Sequence, residues 1–595
     1  MEGINIQHIK DIQQKLESKI LSMRNMQGVW DGKLSSSALS TAVAVFALWI
    51  YDKDKNAKYI EGGLQWLNEN QNSDGGFGDT IKSGSNLSTT LLCWSAFSIA
   101  RHNKAYSDCI SQLENWIRLK AGSLEPETIS KAVLNHYKTD KTFSVPILAM
   151  CALAGRLGER GWKYVPQLPY QFAAFPDRFF RFLNLSVVSY AIPALISMGL
   201  VRQKKRPTKN PAMKLINRMV QKRVLHVLAS KQPENGGFLE ASPLTGFVLM
   251  TLTGAGMKGL DVCKKAESFL QESIRNDGSW PIDTSLTTWV TSLAINSLSK
   301  GTFEEINPEE KEKMLRWLLN QQHKTIHPFT KSQPGGWAWI DKQGGVPDGD
   351  DTSGALIAIK RLAGNPQDYS EQALSGIKWL MGIQNNDGGF PTFCRGWGSL
   401  PFDASCPDIT AHAIRAFAEW KDILPSDFQK KIGHATSKAL RYLEKNQRKD
   451  GSWLPLWFGN ENDKNHLNPV YGTSQVLIAL AKIKSNLNQN LNHMTEAGLE
   501  FLQSVQNTDG GWGGNKGVQS SIEETSLAIR ACAANSYNKP LPKALEWLEN
   551  NLQDAKHDLL PATPIGLYFA SLWYFEEMYP YTYSAAALKE ISKLF

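Results

Sequence analysis

Residues 64–77 read LQWLNENQNSDGGF, and the same phrase returns along the chain with its residue types in place. It closes at Phe238 (VLHVLASKQPENGGF), Trp280 (ESFLQESIRNDGSW), Phe390 (IKWLMGIQNNDGGF), Trp453 (LRYLEKNQRKDGSW) and Trp512 (LEFLQSVQNTDGGW). A stretched copy runs from RWLLNQQ to PGGW at Trp337, and a truncated one, NMQGVW, ends at Trp30. From Trp280 onward the copies recur at roughly 53 to 63 residues, which suits two helices plus loops and is too long for one short helical hairpin.

Each phrase reads as a helix end. The aromatic–aliphatic pair, such as Trp379–Leu380, marks the core face. Gly stops the helix because it tolerates the left-handed conformation at a C-cap. The Gln amide, Gln384 for example, is expected on free helix-end carbonyls, and the closing Phe or Trp on the turn. Between phrases lies a second apolar helix: TSLTTWVTSLAINSL, DDTSGALIAIKRL, PDITAHAIRAFAEW, YGTSQVLIALAKI and SIEETSLAIRACA. Several open with Ser, Thr or Asp, as N-caps do. No convincing period-2 strand is present. The expectation is an all-α protein of two α/α barrel (toroid) domains. The second spans 261–595; the first spans 31–260, with a membrane-contacting segment at about 165–210. Residues 1–30 reach back onto the second.

Composition narrows the class. The 595 residues are 42% apolar and 21% charged, an ordinary globular balance, and eight of the 19 Trp fall in the repeated phrase. A net charge of +8 is too mild to argue for nucleic acid. Seven scattered cysteines without a CxxC pair read as reduced thiols in a cytoplasmic setting. The N-terminus has no apolar secretory core.

The densest polar cluster is Asp348-Gly349-Asp350-Asp351-Thr352 at a helix start. Three readings compete: an N-cap complementing the helix dipole, a Mg²⁺ site, or a proton donor held neutral by crowding, which is favoured. His412 sits on the next helix of the same kind, four residues after Asp408. A His there is more often structural, but neighbouring helices would bring it near Asp350, with Asp408 holding the imidazole.

The repeats, the DxDDT pattern and the aromatic content together resemble the squalene–hopene cyclase family of class II triterpene cyclases, over nearly the whole chain. The resemblance implies a monotopic enzyme on the cytoplasmic face of the membrane. It would protonate a terminal alkene of a linear polyprene such as squalene and fold the cation into rings, needing neither metal nor organic cofactor; it is compatible with a homodimer. By motif match Asp350 is the acid, Asp348 and Asp351 flank it, His412 is its partner, and Asp408 and Thr352 stand behind. Trp339, Trp289, Trp162, Trp457, Tyr471, Tyr568, Tyr574 and Tyr579 are the cation-stabilising or cavity-wall aromatics. The chain departs from the family pattern at Gly349, in the longer segment FGNENDKNHLNPV (458–470), and at Glu576 and Glu577.

For the membrane, the apolar run from Phe182 to Val201 is interrupted by Asn184, Ser186, Ser189, Pro193 and Ser197. It reads as an interfacial plateau with Arg202, Lys204, Lys205 and Arg206 at the headgroups. The alternatives are a class II diterpene cyclase, a cyclase of another chain length, a prenyltransferase-type barrel (Asp403 and Cys406 lack the DxC spacing of a zinc site), and a helical repeat scaffold without chemistry.

Overall fold

The computed structural model describes residues 6–138, 141–183, 185–484, 491–553, 559–566 and 572–595. Its architecture is two closed rings of helices. In the second, Thr287–Ser297, Gly349–Leu362, Pro407–Trp420, Pro469–Lys484, Ile522–Ala534 and Tyr579–Ile591 pack each on the next, and the last returns to the first. Outside them lie Pro308–Asn320, Ser370–Ile383, Ser426–Asn446, Asn492–Ser504 and Leu541–Gln553. The helix Ile6–Ser22 packs on Tyr579–Ile591 and Leu541–Gln553, adding a sixth outer helix from the opposite end of the chain.

The first ring is made by Ala38–Asp52, Leu87–Ala96, Lys141–Leu153, Val188–Lys205 and Ser242–Gly254, which closes back on Ala38–Asp52. The helix Asp261–Glu272 packs on Ser242–Gly254 and Ala38–Asp52 of this ring. This helix of about three turns thus sits with the first ring, although it follows the expected divide at 260. Strands are minimal among the described residues: Ser36–Ser37 pairs with Trp280–Pro281, and Ile565–Gly566 with Trp573–Tyr574.

The repeated phrase is a stitch between helices. Gln384 Nε2 donates to the Gly388 carbonyl (2.8 Å) and onward to Ala435 O in the next outer helix (3.0 Å). Gln447 does the same to Gly451 O and Met494 O, and Gln506 to Gly510 O and Pro540 O. The Gln thus serves the turn and its neighbour, where its own helix end was expected. That end is capped by the closing indole: Trp453 Nε1 donates to Leu443 O and Trp512 Nε1 to Leu502 O, satisfying carbonyls that a helix terminus leaves free. A Thr of the following inner helix accepts the aromatic's backbone N–H, as Thr410 does for Phe390 and Thr473 for Trp453. The turn must be Gly: Gly388 has φ +94°, and a Cβ there would lie 2.4 Å from Lys438 O.

The run expected at the membrane surface is mostly interior. Val188–Lys205 is an inner helix of the first ring, with Tyr190, Ile192, Ile196, Met198, Leu200 and Val201 buried. It is apolar all round because it is enclosed, not because it faces lipid. Asn184 lies outside the described residues. The exposed apolar surface is next to it: Phe172, Phe175, Phe179, Phe182 (87% exposed), Leu215, Ile216 and Met219 (72%). Phe175 stacks on Phe179 at 4.8 Å, and the helix Pro211–Ser230, which carries Leu215 to Met219, packs on the Tyr170–Ala174 turn. No helix among the described residues is long and apolar enough to cross a membrane.

Candidate active site

The acids stand at the N-terminal ends of adjacent inner helices. Asp348 is the N-cap of Gly349–Leu362: its Oδ1 accepts the backbone N–H groups of Asp350 (2.9 Å) and Asp351 (2.8 Å). This cap turns Asp350 toward the next helix, where its Oδ1 lies 2.6 Å from His412 Nδ1. The neighbouring helix comes close because Gly349 has no side chain. A Cβ there would sit 2.9 Å from Ile409 Cγ2 and 3.0 Å from Pro391 O, so the small residue at this family-divergent position is a packing requirement.

Burial dominates the electrostatics. It pushes the carboxyls of Asp348 and Asp351 up, and their mutual repulsion holds Asp351 protonated well above the usual range. One Asp351 oxygen is buried without a hydrogen-bond partner. Burial also pushes Asp408 up to about 7. His412 is pushed down by burial, with the bond to Asp350 opposing, so the imidazole favours its neutral form. Asp408 takes its hydrogen bond from the Cys406 thiol, whose sulfur accepts the Leu456 N–H at 3.0 Å, and not from the imidazole as expected. Thr352 serves the repeat turn, accepting the Trp337 N–H at 3.0 Å.

The aromatics fall in two groups. Near His412, the Trp289 ring lies 6.2 Å from the imidazole, edge to face, and its Nε1 donates to the Tyr579 hydroxyl (3.1 Å), which in turn bonds Tyr574 (2.9 Å). Tyr583, which no motif in the sequence marked, stacks on Tyr579 at 5.5 Å. It follows Tyr579 by four residues on one helix face, a signal that was present. In the second group Trp339 meets Phe393 edge to face at 6.2 Å, and Phe393 and Phe402 pack on Trp457 and on Tyr190 of the first ring. Trp339 Nε1 donates to the buried Asp283 at 3.1 Å. Phe393, Phe402 and Asp283 lie in loops without periodicity and carried no sequence signal. Trp162 sits on the Gly161–Lys163 turn against Lys141–Leu153 and shares no ring contact with these groups among the described residues. Tyr568 lies outside the described residues.

Two other departures are structural. Glu576 is fully buried and accepts the N–H groups of Lys33 (2.8 Å) and Met578 (3.1 Å), tying the N-terminal stretch to the last inner helix. In the longer 458–470 segment, Asn460 donates to Glu524 at 2.9 Å, and Asp463 accepts the N–H groups of Asn465 and Leu467. Among the described residues no group of three or more His, Cys, Asp or Glu is arranged to hold a metal ion.

The chain belongs to the squalene–hopene cyclase family: the family models of its N-terminal domain and C-terminal domain match residues 13–153 and 285–538, together well over half of the sequence. It is similar to the enfumafungin synthase of Hormonema carpetanum, 23% identical over 66% of this chain and 36% of that protein. It is also similar to the squalene–hopene cyclase of Zymomonas mobilis, 26% identical over 44% of this chain and 42% of that one. The matched stretch is thus under half the length of these curated relatives. Among solved structures, the ent-copalyl diphosphate synthase from Streptomyces platensis matches with a TM-score of 0.56 at 15% identity, over 98% of this chain and 99% of that one, a likeness of fold.

Proposed function

We propose that the protein is a class II cyclase that opens its reaction by protonating a terminal alkene of a linear polyprene such as squalene, giving a polycyclic triterpene. The observation that carries this reading is the 2.6 Å contact of Asp350 with a His412 whose burial favours the neutral state. Asp350 gives its proton to the terminal alkene carbon, a tertiary cation forms at the neighbouring carbon, and the carboxylate left behind keeps its hydrogen bond to His412. Successive double bonds attack the cation, and loss of a proton ends the sequence. Trp289, Trp339, Tyr579 and Tyr583 offer aromatic faces that stabilise a cation without trapping it, each by roughly 0.5–2 kcal/mol when desolvated. Closed walls keep out the water that would quench it.

The alternative is a shorter diphosphate-bearing substrate, which the name of the Streptomyces structure supports. Incubation with squalene, with geranylgeranyl diphosphate and with a thirty-five-carbon polyprene, followed by mass spectrometry, separates the two. The exposed patch at Phe172–Phe182 and Leu215–Met219, flanked by Arg178, Arg181, Arg218 and Lys222, supports peripheral attachment to an anionic membrane, from which an apolar substrate would enter.

A further inference from the structure

Beside His412 lies a cavity of about 40 Å³ whose polar side has no part in the acid chemistry above; His412, Trp289 and Tyr583 line its other side and Asp350 does not. Its polar wall is made by Arg415, Arg530, Gln475, Asn296 and Thr582, each on a different inner helix of the second ring. A cavity of this size takes a few waters, or one monatomic ion with a water, at roughly 10–15 Å³ each.

Among the described residues no acid is in direct contact with the charges in this wall, although Glu419, Glu590 and Asp350 act on Arg415 from farther off. Arg415 and Arg530 make no hydrogen bond or ion pair within 4 Å among the described residues. The acids they feel most, Glu419 and Glu590, are engaged elsewhere, with Lys482 at 2.8 Å and Lys593 at 3.0 Å. Two further cations lie nearby but spend their donors on backbone: Arg361 on the carbonyls of Asn296, Leu298 and Ser299, and Lys589 on Asn296 O. Those contacts complement the carbonyl end of the inner helix Thr287–Ser297. Arg415 and Arg530 have no such outlet. Burial, and then each other's charge, push Arg415 down to about 9. The buried Asn296 Oδ1 also lacks a partner, calling for a donor that a water beside an ion supplies.

We propose that this cavity binds a small monovalent anion of chloride size between Arg415 and Arg530. Two guanidinium groups lining one cavity, neither hydrogen-bonded to an acid, are the donor set such an ion needs, and Gln475 and Thr582 add neutral donors. The same two charges help to hold His412 neutral. Occupancy screens them and raises the proton affinity of the imidazole that faces Asp350, so the ion tunes the acid pair. Binding is independent of the cyclase reading; only the effect on rate rests on it.

The test uses the full chain in gluconate, chloride or bromide at equal ionic strength. Chloride at 100 mM is expected to raise the melting temperature by about 1–2 °C over gluconate. Arg415→Gln and Arg530→Gln should each remove that difference. Crystals grown in bromide should show an anomalous peak between the two arginines, which decides the matter even if the variants do not fold. Water alone in the cavity, with no bromide peak, overturns the proposal. If activity is found, its pH profile should move upward in chloride; an unmoved profile with bromide bound would overturn the tuning and leave the site.

Discussion

His412 Nδ1 and Asp350 Oδ1 meet at 2.6 Å although 62 residues separate them in the sequence. Their helices are consecutive inner helices of the second ring and pack side by side, and Gly349 lets them approach. The pair therefore depends on packing at a position with no chemistry of its own. Gly349→Val should lower activity and stability together, the latter by about 1–3 kcal/mol for overpacking, measured by denaturant melts beside turnover. Unchanged stability would contradict the close approach.

Asp408 provides a pH-dependent prediction. A carboxyl that holds its proton more tightly when folded than when unfolded opposes folding once the pH exceeds its ordinary range, near 4. That cost is absent below about 4 and complete above about 7, where burial has placed Asp408. The stability of Asp408→Asn relative to wild type should rise as pH goes from 5 to 8. A difference between the two melting curves that stays flat with pH would contradict it.

The aromatic groups predict altered products. Trp289→Phe keeps a ring beside His412 but removes the donor to Tyr579, whereas Trp289→Ala removes both. The first should slow turnover modestly; the second should release incompletely cyclised products, seen by gas chromatography of the extract. Identical product spectra from both variants and wild type would make Trp289 a packing residue only.

The repeat turn predicts a stability series. Gly388→Ala meets both a positive φ and the Lys438 carbonyl, and should cost about 1 kcal/mol or more. Thr410→Val leaves the buried Phe390 N–H without its acceptor and should cost about 1–3 kcal/mol. Denaturant titration reads both, and near-neutral values would show that the turns carry little of the fold.

Much of this was legible in the amino-acid sequence for physical reasons. Most copies of the phrase carry a Gln, a turn Gly and a closing aromatic in register, and even NMQGVW at Trp30 keeps the Gly and the indole, so the second ring announced itself. The first ring is quieter: Leu87–Ala96, Lys141–Leu153 and Val188–Lys205 are apolar helices without the phrase. An enclosed helix and an interfacial one have the same composition, so Val188–Lys205 read as surface. The acid and His412 were visible because their residue types are costly inside a barrel. Asp283 under Trp339, and Arg415 and Arg530 behind His412, were not, because only closure of the ring brings those side chains to a common point.

The central claim is that Asp350 supplies the proton, and one comparison tests it most directly: turnover of Asp350→Asn against wild type on the best substrate found, with thermal melts in parallel. Asn keeps the volume and can still bond His412, but it has no acidic proton to give. The account predicts a folded protein with cyclisation lost by at least about a thousandfold, about 4 kcal/mol of barrier, while His412→Ala retains part of the activity. A folded Asp350→Asn that cyclises at near the wild-type rate would contradict it.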